Sequence, residues 1–257
     1  MERALDLSEW LGPAKERFFW FIGGGGKTAS LHHLARSFAA KHHEVVLGTS
    51  TKVMVSEFSW CKPFLLDNPG DLKRVSQLAR LLQEGEIPFV YRGIWQEKEK
   101  YLGHTPQELQ TLQDRLDQLG HGQTIFLVEA DGARNLPLKA PYEHEPVLGQ
   151  RGLVVVLIGA EVLGRPLRET DVYGFDNVLK IFQEKPGFVF TTNHAARLIL
   201  HPQGYAKRVG DPARLRVLIN KADLKEQRHQ ALHLKEELLG LGIKAKVVSL
   251  REEKEYL

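Results

Sequence analysis

Short apolar runs alternate with stretches of helical spacing along most of this chain. The first run, Arg17-Phe-Phe-Trp-Phe-Ile22, ends in four glycines, and from Lys27 to Lys41 the residues Leu31, Leu34, Ala35 and Phe38 recur on one helical face. That pattern predicts strand, loop, helix. Glu44–Gly48 reads as a second buried strand, closed by the polar stretch Thr49-Ser-Thr-Lys52. Further on come an apolar run at Pro63–Leu66, a helix over Asp71–Gln83 and a strand at Ile87–Tyr91. A longer helix opens at Thr105-Pro-Gln-Glu108, where Thr and Glu fit a capping box with Pro in the first turn. Thr124–Ala130, Leu153–Ile158, Phe188–Phe190, Leu215–Asn220 and Lys244–Ser249 complete the predicted strands.

Several of these strands are continuously apolar, as strands covered on both faces by helices must be. Strands alternating with helices predict an α/β fold with a doubly wound, mostly parallel sheet of P-loop NTPase-like architecture. Residues 1–257 are read as a single nucleotide-binding domain with an inserted segment at about 53–122. Ligands of such sheets bind at the carboxyl ends of the strands, where every motif below falls.

Composition narrows the class. The 257 residues are 42% hydrophobic and 26% charged, which is ordinary globular usage. A net charge of +3, from 35 basic and 32 acidic residues spread along the chain, gives no basic stripe for nucleic acid or an anionic membrane. The lone Cys61 excludes an internal disulfide and suits a reducing compartment. Met1–Lys15 lacks the apolar core of a signal peptide and no run is long enough to span a bilayer, so a cytoplasmic protein is expected.

Gly23-Gly24-Gly25-Gly26-Lys27-Thr28 lies between the first strand and its helix, the setting a phosphate-binding loop requires. Glycines let successive amides turn toward an anion while the helix adds the positive end of its dipole. Lys27 is expected to reach the β- and γ-phosphates, and the Thr28 hydroxyl to bind Mg2+. A standard loop would begin with Gly at Phe21; counted from Gly23 the spacing is G-x-x-G-K-T, a shorter form similar to that of the Mur ligases.

The strand Leu215–Asn220 runs into Asn220-Lys221-Ala222-Asp223, which resembles the guanine-reading motif of GTPases. A carboxylate there accepts both the N1–H and the exocyclic amine of guanine, which adenine cannot offer, so GTP is favoured over ATP. Asn220 would fix the loop, the Lys221 stem would pack over the base, and Ser249, ending the next strand, is a second base-side candidate. At the end of Thr124–Ala130, Glu129 and Asp131 are spaced to point the same way. Asp131 is expected at Mg2+ and Glu129 at a nucleophilic water, with Arg134 or Lys139 balancing charge.

Other residues read as bland. His32, His33, His42 and His43 are adjacent pairs that do not face one another on a helix and read as surface. Cys61 reads as packed, and Glu143-His144-Glu145 is a weak metal candidate without a second ligand cluster.

In this order, the glycine loop, Thr49-Ser-Thr-Lys52, Val128-Glu-Ala-Asp-Gly-Ala-Arg134, Pro137-Leu-Lys-Ala-Pro141, Gly164-Arg-Pro-Leu167 and Leu218-Ile-Asn-Lys-Ala-Asp223 resemble the YqeC family over most of the chain. That family is described as selenium-dependent hydroxylase accessory proteins. The resemblance implies a nucleotide-binding protein acting in maturation of a molybdenum hydroxylase, with that enzyme or its cofactor precursor as partner. Where a His-Arg-containing stretch is expected near Val172, this chain has Val172-Tyr-Gly-Phe-Asp176. The leading expectation is a Mg2+-dependent slow NTPase; a small-molecule transferase or ligase and a non-hydrolysing scaffold are the alternatives.

Overall fold

The computed structural model describes residues 2–12 and 16–257; residues 1 and 13–15, part of the amino-terminal stretch read as lacking a signal-peptide core, lie outside them. In chain order the main elements are β1 (Glu2–Ala4), β2 (Phe18–Gly23), α1 (Lys27–Ala40), β3 (Val45–Thr49), β4 (Lys62–Leu65), α2 (Leu72–Gln83), β5 (Pro88–Tyr91) and α3 (Pro106–Gln118). There follow β6 (Ile125–Glu129), β7 (Leu153–Gly159), α4 (Phe175–Phe182), α5 (Thr192–Leu200), β8 (Leu215–Asn220), α6 (Lys225–Gly240), β9 (Lys244–Ser249) and β10 (Lys254–Tyr256). The strands form one ten-stranded sheet in the order β1-β10-β9-β8-β7-β2-β6-β3-β5-β4. Eight neighbouring strands, β9 through β4, are parallel, and β10 runs antiparallel to both its neighbours.

The continuously apolar strands are covered on both faces. Phe18, Trp20 and Ile22 of β2 pack with residues of α2, α3, α5 and α6, whereas the intervening Phe19 and Phe21 pack with Leu31, Leu34 and Phe38 of α1. Side chains alternate across a strand, so an all-apolar sequence fills both layers at once. The sheet is doubly wound and P-loop NTPase-like. The helix α3 begins with the expected capping box of Thr105 and Glu108 and with Pro106 in its first turn.

One strand expectation changes. Val189–Phe190 does not join the main sheet; it pairs with Arg165–Pro166 in a separate two-stranded piece. The stretch 53–122 supplies β4 and β5 to the main sheet, two of its covering helices, and strands of an antiparallel ribbon formed by Lys52–Met54, Lys100–Leu102 and Gly93–Trp95. No helix among the described residues is long and apolar enough to cross a membrane.

Chain order reverses around β2. The path from β2 to β3 passes over the place later filled by β6, and the next crossover carries β7 to the other side of β2. The crevice of a doubly wound sheet opens at such a switch point, beyond the carboxyl ends of the strands. Register sets what surrounds it: Phe21 lies opposite Glu129, Gly23 opposite Leu157, and Gly159 opposite Asn220.

Candidate functional site

The four glycines that leave β2 are hemmed in by backbone. A Cβ on Gly23 would sit 2.4 Å from the Leu157 carbonyl oxygen, one on Gly24 2.5 Å from that of Leu136, and one on Gly25 2.4 Å from the Gly159 nitrogen. Gly23, Gly25 and Gly26 also hold φ of 95°, 89° and 117°, which side chains rarely adopt. Three loop amides have partners inside the protein: Gly23 donates to Asp131 Oδ2 (2.9 Å), Gly24 to Leu157 O (3.1 Å) and Gly25 to Leu136 O (2.9 Å). The amides left without an internal acceptor are those that open α1. Lys27, Thr28 and Ala29 have no carbonyl a turn before them in the helix, and Gly26 at its cap offers no side chain.

Lys27 is buried with Nζ 2.7 Å from Gly23 O, 3.0 Å from Asp131 Oδ1 and 3.9 Å from Glu129 Oε1. Burial disfavours its charge, but Asp131 and Glu129 outweigh that and raise its pKa. Thr28 Oγ1 lies 3.5 Å from Glu129 Oε2. Burial pushes the Glu129 carboxyl up to about 7, Lys27 opposing and Glu57 and Asp131 adding to the rise.

Asp131 does not take the metal position expected of it. It is fully buried beneath the loop, where Oδ2 accepts the Gly23 amide at 2.9 Å and Oδ1 faces Lys27. The strand ends at Glu129, so strict alternation no longer governs Asp131, and Glu129 is the carboxylate beside Thr28. Lys139 is also fully buried, 3.7 Å from Asp131 Oδ2 and 2.7 Å from Glu145 Oε1. Glu145 further accepts the Tyr142 amide at 3.1 Å, so it braces this wall, while Glu143 and His144 are exposed. No group of three His, Cys, Asp or Glu side chains gathers for a metal among the described residues. Arg134 is exposed at φ 49° and lies over the Tyr173 ring, 5.1 Å from its centroid, so the departing segment at Val172 packs against this wall.

On the other side of Gly26 stands Asn220. Its amide donates to Gly25 O at 2.7 Å and its oxygen accepts the Leu250 amide at 3.1 Å, tying the glycine loop to the loop after β9. Lys221, at φ 62°, pairs with Glu161 at 2.9 Å. Asp223 accepts a short hydrogen bond from Ser249 Oγ. Ser249 is buried and does not line the cavity; it holds Asp223.

Two cavities flank the loop. One of about 630 Å³ is bounded by Gly26, Asn220, Lys221, Asp223, Leu250 and α1 residues including His32 and His33. These two histidines, read as surface, are half-buried walls of it. The other, about 480 Å³, is lined by Gly24–Ala29, Glu129, Arg134, Lys52, Lys100 and Glu57. Thr49 is buried and bonds to Glu129 O at 2.9 Å, anchoring the end of β6. Lys100 and Glu57 carry no motif and are not legible in the sequence; Lys52 is marked by its place after a strand end. Cys61 is buried, and desolvation raises its thiol to about 12.

A glycine loop at the switch point, a buried lysine at the head of its helix and a carboxylate on the adjacent strand define an α/β protein of P-loop type. The chain belongs to the YqeC family, whose model, described as YqeC protein, matches residues 20–176. It is similar to a protein of Escherichia coli (strain K12), "Uncharacterized protein YqeC", with 29% identity over 201 residues, 78% of this chain and 74% of that one. Among solved structures it is similar to HypB from Helicobacter pylori in complex with nickel, at 14% identity and TM-score 0.40, covering 96% of this chain and 85% of that one.

Proposed function

We propose that this chain is a Mg2+-dependent guanine-nucleotide-binding protein and slow NTPase, acting as an accessory factor in maturation of a selenium-dependent molybdenum hydroxylase. The observation that carries the nucleotide reading is Asn220, bonded to both Gly25 and Leu250, with Asp223 oriented by Ser249 on the cavity that adjoins the phosphate loop. Base and phosphate sites are thereby joined by one side chain.

In this reading the base lies in the larger cavity, where Asp223 accepts two guanine N–H groups and the Lys221 stem covers the ring. The phosphates meet the amides of Lys27, Thr28 and Ala29, and Lys27 exchanges part of its contact with Asp131 for phosphate oxygen. Thr28 and Glu129 offer adjacent hard oxygen donors, which fits Mg2+, an ion that takes one or two protein ligands and fills its shell with phosphate and water. Bound there, it would supply countercharge to the phosphates. Arg134 lines the same cavity with its guanidinium over the Tyr173 ring, so it is not committed to phosphate in the resting loop and slow turnover is expected. The accessory role is what the family resemblance implies.

Calorimetry with GTP, GDP and ATP, with and without Mg2+, tests the reading. Guanine nucleotides should bind tightest and Mg2+ should strengthen GTP. Equal, Mg2+-insensitive failure of all three removes it. Asp223→Asn should shift preference from guanine toward xanthine nucleotides, because the new amide donates to the xanthine 2-oxo group where the carboxylate accepted from the guanine amine.

A further inference from the structure

The smaller cavity holds more than a phosphate group needs. Its volume of about 480 Å³ lies in the range of complete small-molecule sites, roughly 300–1,000 Å³. Five cationic side chains reach it, against the carboxylates of Glu57 and Glu129. Two of the five are committed: Lys27 to Asp131 and Lys221 to Glu161. Lys52, Lys100 and Arg134 form no ion pair among the described residues.

Those three cations are gathered by structure rather than by sequence. In the ribbon, Lys52 lies opposite Leu102 and Met54 opposite Lys100, so the two lysines are diagonal neighbours on one face. Lys52 Nζ sits 4.5 Å from the Trp95 ring centroid, and Arg134 stands on the facing wall over Tyr173. Five cations against two carboxylates leave a positive excess that repels itself, and a concave wall focuses that field on whatever enters. An anionic ligand relieves that repulsion, and an uncharged one does not.

We propose that this cavity is the site of a second ligand, a small molecule bearing a phosphate or carboxylate group, held by Lys52, Lys100 and Arg134 beside the nucleotide's terminal phosphate. The proposal rests on the nucleotide reading for what occupies the loop. The antiparallel ribbon then forms the wall that recognises the second ligand, with Trp95 exposed on the same face.

The test is calorimetry on protein saturated with Mg2+ and a non-hydrolysable GTP analogue, so that the terminal-phosphate position is filled. Inorganic phosphate and succinate are titrated separately to distinguish the two anion chemistries. Saturable binding of at least one is expected, weakened about ten-fold or more in Lys52→Ala/Lys100→Ala while analogue affinity stays within about two-fold. Arg134→Ala should give a comparable loss of the anion. The proposal is overturned if neither anion binds, or if the double variant binds it as the parent does. Should the analogue itself fail to bind, the nucleotide reading falls alone. The same titrations on nucleotide-free Lys27→Ala, with and without the two lysine substitutions, then decide the second site.

Discussion

Four consecutive glycines would weaken any helix or strand, and here each meets a different obstacle. Gly25 is the most constrained, with φ 89° and the Gly159 nitrogen 2.4 Å from where a Cβ would stand. Gly25→Ala should therefore cost about 1–3 kcal/mol of stability and abolish nucleotide binding, checked by denaturant unfolding and calorimetry on the same preparation; unchanged stability would mean that the loop is not held as described. Glu129 supplies a pH signature. Its carboxyl rises from the ordinary 4.5 to about 7, so the folded chain keeps a proton that the unfolded chain releases. The resulting stability is fully present below pH 4.5 and is lost as pH rises toward about 7. Between those limits the nucleotide-free protein should lose on the order of 3 kcal/mol relative to Glu129→Gln. Unfolding measured across that window should show a falling slope in the parent that the variant lacks.

At the scale of elements, the sequence is most readable where one strand serves both faces of the sheet. Phe18 to Ile22 and Leu153 to Ile158 have no polar residue to confuse the reading, and the glycines and Lys27 follow directly on the first of these runs. Elsewhere the cues are missing. Glu2–Ala4 and Lys254–Tyr256 are short, charged edge strands held partly by ion pairs between Arg3, Lys246 and Glu255, a pattern that looks like loop. The ribbon carrying Lys52 and Lys100 is three residues per strand and takes its form from pairing across some fifty residues of chain. Asp131 is legible in the sequence as functional and not as buried, because its side chain is turned by the loop after β6 rather than by the strand. Asn220 joins two such loops, so its removal should act on both. Asn220→Ala strands the Gly25 carbonyl and the Leu250 amide, at about 1–3 kcal/mol, and should weaken nucleotide binding together with stability. Asp223→Ala should lose base discrimination while leaving thermal stability nearly unchanged. If melting curves of the two variants coincide, Asn220 is not the tie between the loops.

For the molecule as a whole, a net charge of +3 conceals an uneven distribution. At the switch point five cations and two carboxylates line the smaller cavity, and Lys52, Lys100 and Arg134 among them have no ion-pair partner among the described residues. A free phosphate loop is thus held in readiness by internal substitutes: Asp131 faces Lys27, and Asp131 also accepts the Gly23 amide. Because the loop is already shaped, nucleotide should stabilise the chain by mass action rather than by refolding it. At one hundred times the dissociation constant the gain is about 2.7 kcal/mol, a rise in melting temperature of roughly 5 to 10 °C for a chain of this size. GTP with Mg2+ should produce that rise and ATP a smaller one. Lys27→Ala should abolish both, because it removes the charge nearest the phosphates and leaves Asp131 buried without its closest cation. That variant should also melt below the parent in the absence of nucleotide. A variant as stable as the parent would show that Lys27 and Asp131 are not coupled in the resting loop, and equal shifts with GTP and ATP would take the base reading away from Asp223.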